Sequence, residues 1–160
     1  MDGDQQSYFR GSLSQSVIEF FHDYGVDCTS LTEHMPLLSA ETSGLPIGCA
    51  DKSAGDDSAG CEMGSVVGFK GHNLRGGLAF VAPASLVAKM LPVPEDKERV
   101  ELQLRDWSGE IANQLVGRLK NKLASRAFDF DVGTAVCFRG MAIRLSFLPN
   151  VEALSLSFSI

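Results

Sequence analysis

Four residues of the 160-residue chain, Asp106, Glu110, Asn113 and Gly117, follow one another at spacings of four, three and four. On a helix turning about 100° per residue they line one side, while Ile111, Leu115, Val116, Leu119 and Leu123 fill the opposite arc. The apolar arc must face a core, so the stripe of two carboxylates, a carboxamide and a glycine points away from it. Carboxylates can pair with a cation, and a carboxamide offers both a donor and an acceptor without carrying charge. An ordinary solvated helix face would also contain Asp, Glu and Asn. Gly117 argues against that plain reading, because glycine in an exposed helix interior costs about 1 kcal/mol relative to alanine and hints at a close neighbour. Asn113 is likewise a weaker helix former than Gln, Glu or Lys would be there.

Other groupings carry less chemistry. Cys28, Cys49, Cys61 and Cys137 stand far apart with no C-x-x-C pair, which fits neither a disulfide scaffold nor a zinc ribbon and predicts free thiols. No ligand spacing recommends a site drawing Cys49 and Cys61 together with His34 or His72. Gly68, Gly71, Gly76 and Gly77 resemble a phosphate-cradling loop only superficially, since the spacing is not G-x-x-x-x-G-K-[ST] and the context reads as a hairpin. No arrangement of serine, histidine and acid points to a hydrolytic triad.

The elements that must position the stripe are legible from periodicity. A mass of 17.2 kDa, 44% apolar residues and a mean hydropathy of +0.05 predict one globular domain over residues 1–160. Leu13, Val17, Phe20, Phe21 and Tyr24 predict an amphipathic helix with Ser12 as its cap and Gly25 at its end. Residues 39–62, rich in Ser, Gly, Ala, Asp and Thr, read as a mobile surface loop. Met63 to Phe69 and Gly77 to Val81 predict two strands joined by a turn. A short helix follows from Pro83, in its first turn, through Leu91, and the long helix of the stripe from near Asp106 to about Leu123. Strands with one wet face come last, at 128–132, 143–147 and 154–160. The order predicts an α+β domain, an antiparallel β-sheet covered by two long helices, with approximate recurrence between its halves.

The net charge of −6 lacks the basic footprint of a nucleic-acid binder. No apolar run approaches the roughly 18 residues of a membrane span, and Met1-Asp2-Gly3-Asp4 does not open a secretory signal, so a cytoplasmic protein is expected.

Asp106-x-x-x-Glu110-x-x-Asn113-x-x-x-Gly117 resembles the signature helix of the CheC, CheX and FliY phosphatases of bacterial chemotaxis. The string from Asp106 through Trp107, Ser108 and Gly109 to Asn121 looks most like the CheX-type branch. Residues 63–160 share the resemblance, and the strand pair and short helix precede the motif in the family's order. The resemblance implies a phosphatase acting on the phospho-aspartate of a CheY-like response-regulator receiver domain. It implies Glu110 as the anchor that pairs with a receiver lysine and Asn113 as the catalytic group that orients the attacking water. Gly117 would allow close approach of the receiver. Asp106 would assist docking or simply favour the positive end of the helix dipole. No cofactor is expected in this chain, and the Mg²⁺ of the reaction is expected in the partner receiver. An acyl phosphate already has a good leaving group, so positioning water in line supplies much of the acceleration, as glutamine does in GTPases.

The chain departs from the family pattern in places. In the first helix, Gln15-x-x-x-Glu19-x-x-His22-x-x-x-Val26 reads as a degenerate, inactive counterpart of the motif, with His22 an exposed helical histidine. Gly133-Thr134 stands where the family tends to have Pro-Thr, which questions local strand geometry. Arg118 replaces a small polar residue, and with Lys120, Lys122 and Arg126 it would attract an acidic surface or serve the helix dipole. CheX-type relatives are dimers, so a homodimer is implied, with the 154–160 strand either adding to a partner's sheet or lying inside the monomer. The alternative function is a non-catalytic module that binds a receiver domain or a flagellar-switch component.

Overall fold

The computed structural model describes residues 3–34, 45–46, 61–72, 74–91, 100–126, 128–141, 143–145 and 153–159. The elements run α1 (Gly3–Asp23), β1 (Ser30–His34), β2 (Leu45–Pro46), β3 (Cys61–Gly71), β4 (Arg75–Pro83), α2 (Ala84–Met90), α3 (Val100–Ala124), β5 (Phe130–Val132), β6 (Val136–Met141), β7 (Arg144–Leu145) and β8 (Ser155–Ser159). Every strand pair is antiparallel, and the architecture is the expected α+β. The chain divides into two compact units, Gly48–Ile143 and Met1–Ile47 with Arg144–Ile160.

In the Gly48–Ile143 unit, β3 is the central strand. It pairs with β4 from Glu62 opposite Pro83 to Lys70 opposite Arg75, and the turn closes with the Gly71 N–H donating to the Leu74 carbonyl at 2.6 Å. Its other edge is shared by β5 and β6. Between Val132 opposite Phe69 and Val136 opposite Val66, three residues of the outer strand face two of β3. That extra residue is a β-bulge, and Gly133 sits in it, its N–H donating to the Gly68 carbonyl at 2.8 Å. The position flagged by Gly133-Thr134 is therefore a break in the ladder.

Alternation along β3 sends Met63, Ser65, Val67 and Phe69 to one buried face. Against the sheet lies α3, which touches β3, β4, β5, β6 and α2. Its apolar arc of Ile111, Ala112, Leu115, Val116, Leu119 and Leu123 is no more than 3% exposed. The helix starts at Val100, a turn and a half earlier than expected. Glu101 to Arg105 are mostly good helix formers and extend it past the motif. Pro83 proves to be the N-cap of α2 and lies just outside the first turn.

The other unit consists of α1 and two short ladders, β1 with β8 and β2 with β7. Gly25, at φ 68°, ends α1 as expected. The Val26 N–H donates to the Phe21 carbonyl at 2.9 Å and the Gly25 N–H to the His22 carbonyl at 3.0 Å, the two bonds of a Schellman motif. The start differs: Ser12 is no cap but is buried mid-helix, its carbonyl accepting from Ser16 Oγ at 2.7 Å. Phe9 lies four residues before Leu13 and carries the apolar face back by a turn. The Phe21 and Phe158 rings meet at 4.5 Å between centroids.

Three strand expectations change. β6, with the sequence V-C-F-R-G-M, has no apolar and polar alternation and was not anticipated. The 143–147 strand is limited, among the described residues, to Arg144 and Leu145. Most of 39–62 lies outside the described residues, but Leu45–Pro46 pairs with β7 and Cys61–Glu62 opens β3. Among the described residues no helix is long and apolar enough to cross a membrane.

Candidate active site

Rotation of α3 about its own axis decides where the motif points, and buried contacts fix that rotation. Ser65 Oγ on β3 donates to the Ser108 carbonyl at 2.7 Å. Ser108 Oγ lies 3.1 Å from the Arg105 carbonyl and 3.3 Å from that of Gly64. Both serines are fully buried, so these bonds satisfy groups that would otherwise be costly to bury. Next to them a Cβ on Gly109 would lie 2.7 Å from Cys137 Sγ, so a larger residue there would force the Cys137 thiol to give way for the helix to keep this approach to β6. With Ser108, Gly109, Ile111 and Ala112 held inward, helical periodicity forces Glu110 and Asn113 outward.

Asp106, Glu110 and Asn113 are exposed and Gly117 is half-buried. Gln114 Nε2 donates to Glu110 Oε1 at 2.9 Å, one turn along the same helix. The glutamate carboxylate is thereby steered by the neighbour of Asn113. Among the described residues none hydrogen-bonds to the Asn113 carboxamide, which leaves its donor and acceptor for a ligand. A Cβ at Gly117 would meet nothing within 4 Å. The close neighbour anticipated there is not supplied by this chain's described residues. Asp106 lies well inside α3 because the helix begins at Val100, and dipole effects fade beyond the first turn. The dipole explanation of Asp106 is thus removed, and Glu101 occupies the first turn instead.

Of the basic residues after the motif, Lys120 Nζ stands 3.6 Å from Asp129 Oδ1 and 5.8 Å from the Phe130 ring centroid. Arg118, Lys122 and Arg126 also have partners of their own. The site is an open ridge. A depression of about 340 Å³ on the same unit is lined by Met63, Glu101, Arg105, Cys137, Phe138 and Arg139, and includes none of the four motif residues. There Arg139 Nε donates to Cys61 Sγ at 2.7 Å and its guanidinium pairs with Glu101. The bond to Cys61 and the one to Glu101 hold Arg139 in its charged form. Cys28, Cys61 and Cys137 are free thiols, and burial, followed by the Asp27 carboxylate, pushes the Cys28 thiol up. Among the described residues no group of three or more His, Cys, Asp and Glu side chains could hold a metal ion.

On α1, Gln15 Nε2 donates to Glu19 Oε1 at 2.8 Å, and His22 is exposed. Val26 lies beyond the Schellman turn, so the fourth position of the degenerate motif is not on the helix. Sequence reasoning did not single out Ser65, Gly109 or Gln114 as positioning groups. Gln114 was findable from its spacing of four from Glu110, whereas Ser65 and Gly109 act through contacts between α3 and strands distant in sequence.

A family model described as chemotaxis phosphatase CheX matches residues 63–159. Among curated proteins none matches the chain. Among solved structures, a CheC-like superfamily protein from Shewanella sp. PV-4 superposes with a TM-score of 0.68 at 16% identity, covering 100% of this chain and 92% of that one. The chemotaxis protein CheX of Vibrio vulnificus gives 0.64 at 19%, covering 95% and 91%. The CheX of Desulfovibrio desulfuricans gives 0.65 at 15%, covering 94% and 89%. At these identities the structural likeness speaks for the fold.

Proposed function

The chain belongs to the chemotaxis phosphatase CheX family, and from that premise we propose that it hydrolyses the phospho-aspartate of a CheY-like receiver domain. The observation that carries the reading is the outward, accessible Asn113 carboxamide, one turn from a glutamate steered by Gln114. An open ridge suits a substrate that is itself a folded domain. Glu110 pairs with a cationic side chain of the receiver, and Asp106 adds a second acidic contact. Gly117 leaves room where the receiver surface comes close.

Asn113 holds one water by accepting from it and donating to it, in line with the acyl phosphate. Water oxygen bonds to phosphorus, the bond from phosphorus to the aspartyl oxygen breaks, and the carboxylate leaves with the electron pair. The water proton passes to the phosphate released. A neutral amide does not repel the phosphoryl oxygens, and placing water in this geometry removes an entropic part of the barrier. Divalent metal belongs to the receiver's acidic pocket, where it neutralises phosphoryl charge. We place the reaction in the cytoplasm. We also infer a homodimer, since β8 pairs on one edge only among the described residues; sedimentation velocity tests it.

The test is phosphate release from a panel of phosphorylated receivers. Wild-type protein accelerates at least one of them, and Asn113→Ala loses about 100-fold or more, at least about 3 kcal/mol in the barrier. Binding without any acceleration would contradict the enzyme and favour the non-catalytic module.

A further inference from the structure

Leu102 is the one exposed large aliphatic side chain of α3, at 54%. Lys, Glu and Gln form helix about as well as leucine, so propensity does not explain an apolar side chain left in water there. Single exposed leucines are ordinary on protein surfaces. Position gives this one meaning. It stands four residues before Asp106 and continues the ridge by one turn, so Leu102, Asp106, Glu110 and Asn113 form a single accessible line.

Resting on the reading above, we propose that Leu102 is a docking anchor that seats in an apolar patch of the phosphorylated receiver, with basic side chains beside that patch facing Asp106 and Glu110. Two observations choose this occupant. The leucine is continuous with the ridge that the receiver must already cover. The two acidic residues that follow it, on a chain of net charge −6, favour a basic rim and repel the same ridge of a second copy. Reach agrees as well. Leu102 and Asn113 are eleven residues apart, about 16 Å along the axis, and a domain of about 100 residues has a radius of gyration of about 13 Å, so one partner spans both. Burying the leucine adds affinity that is present before and during the reaction alike, and such uniform binding acts on KM and leaves kcat alone.

The experiment measures kcat and KM for a receiver that the wild-type protein dephosphorylates, using Leu102→Gln, Leu102→Met and, as a control, Ile18→Gln. Ile18 is exposed on α1 at 47% and has no place in the ridge of α3. Leu102→Gln is expected to raise KM roughly tenfold, equivalent to about 1.4 kcal/mol, with kcat unchanged. Leu102→Met restores most of the loss and Ile18→Gln changes neither constant. Circular dichroism and thermal melting of each variant verify that α3 is intact. Wild-type turnover with an unchanged KM in Leu102→Gln overturns the anchor alone. An equal rise in KM for Ile18→Gln also overturns it, since general surface apolarity would then be the cause. Absence of wild-type turnover on every receiver overturns the anchor and the phosphatase reading together.

Discussion

The outer faces of α1 and α3 share a device and differ in what it serves. Each carries a glutamine bonded to a glutamate one turn away, at 2.8 Å in α1 and 2.9 Å in α3. In α1 the glutamine precedes a half-buried Glu19, His22 takes the next place, and the Schellman turn cuts the helix before Val26. In α3 the glutamine follows an exposed Glu110, Asn113 lies between them, and the helix runs on to Ala124. If α3 alone is active, as proposed, a shared helical framework with a steered carboxylate is not enough. On the proposed reading, the difference leaves the chemistry to one amide and to the length of helix that presents it.

The sharpest way to break the comparison is to spoil that amide. Asn113→Asp keeps the shape but places a negative charge against the phosphoryl oxygens. It should lower kcat by more than about 100-fold, read by phosphate release, with the melting temperature unchanged. Next comes the framework. Gly109→Val pushes side-chain atoms toward Cys137, where even a Cβ would be at 2.7 Å. Overpacking of this kind should cost about 1–3 kcal/mol in urea unfolding and turn the ridge. Glu110→Gln should raise KM roughly tenfold, about 1.4 kcal/mol, and that loss should shrink in high salt because the missing interaction is between charges. Gln114→Ala should cost only a few-fold in kcat/KM, about 0.5–1 kcal/mol for one exposed hydrogen bond. On α1 the double variant Glu19→Gln, His22→Ala should change kcat/KM by less than about twofold, since surface substitutions away from special features stay within about 0.5 kcal/mol.

Much of this was readable from local pattern. The stripe of α3 was legible because an apolar arc and a polar line at spacings of four, three and four leave little choice of rotation. The β3–β4 hairpin was legible from two β-rich runs around a glycine-rich turn. Helix starts were less so. Ser12 is a good capping residue, yet Phe9 already belongs to the apolar face of α1, and tertiary burial outweighs a local cap preference. The strand β6 carries no alternation, and none of its residues is buried, so neither of its faces demands a row of apolar side chains. The bond from Ser65 to Ser108 joins residues 43 apart in sequence, and no local pattern records such a tertiary contact.

The central claim is that the outward Asn113 carboxamide performs the chemistry, while the rest of the ridge binds. Single-turnover dephosphorylation by saturating wild-type and Asn113→Ala protein, with Kd for the phosphorylated receiver measured in parallel, tests it most directly. The expected result is a rate for Asn113→Ala close to the receiver's own decay, at least about 100-fold below wild type, with Kd within about twofold. An undiminished rate in Asn113→Ala, or a loss of rate fully accounted for by lost binding, would contradict it.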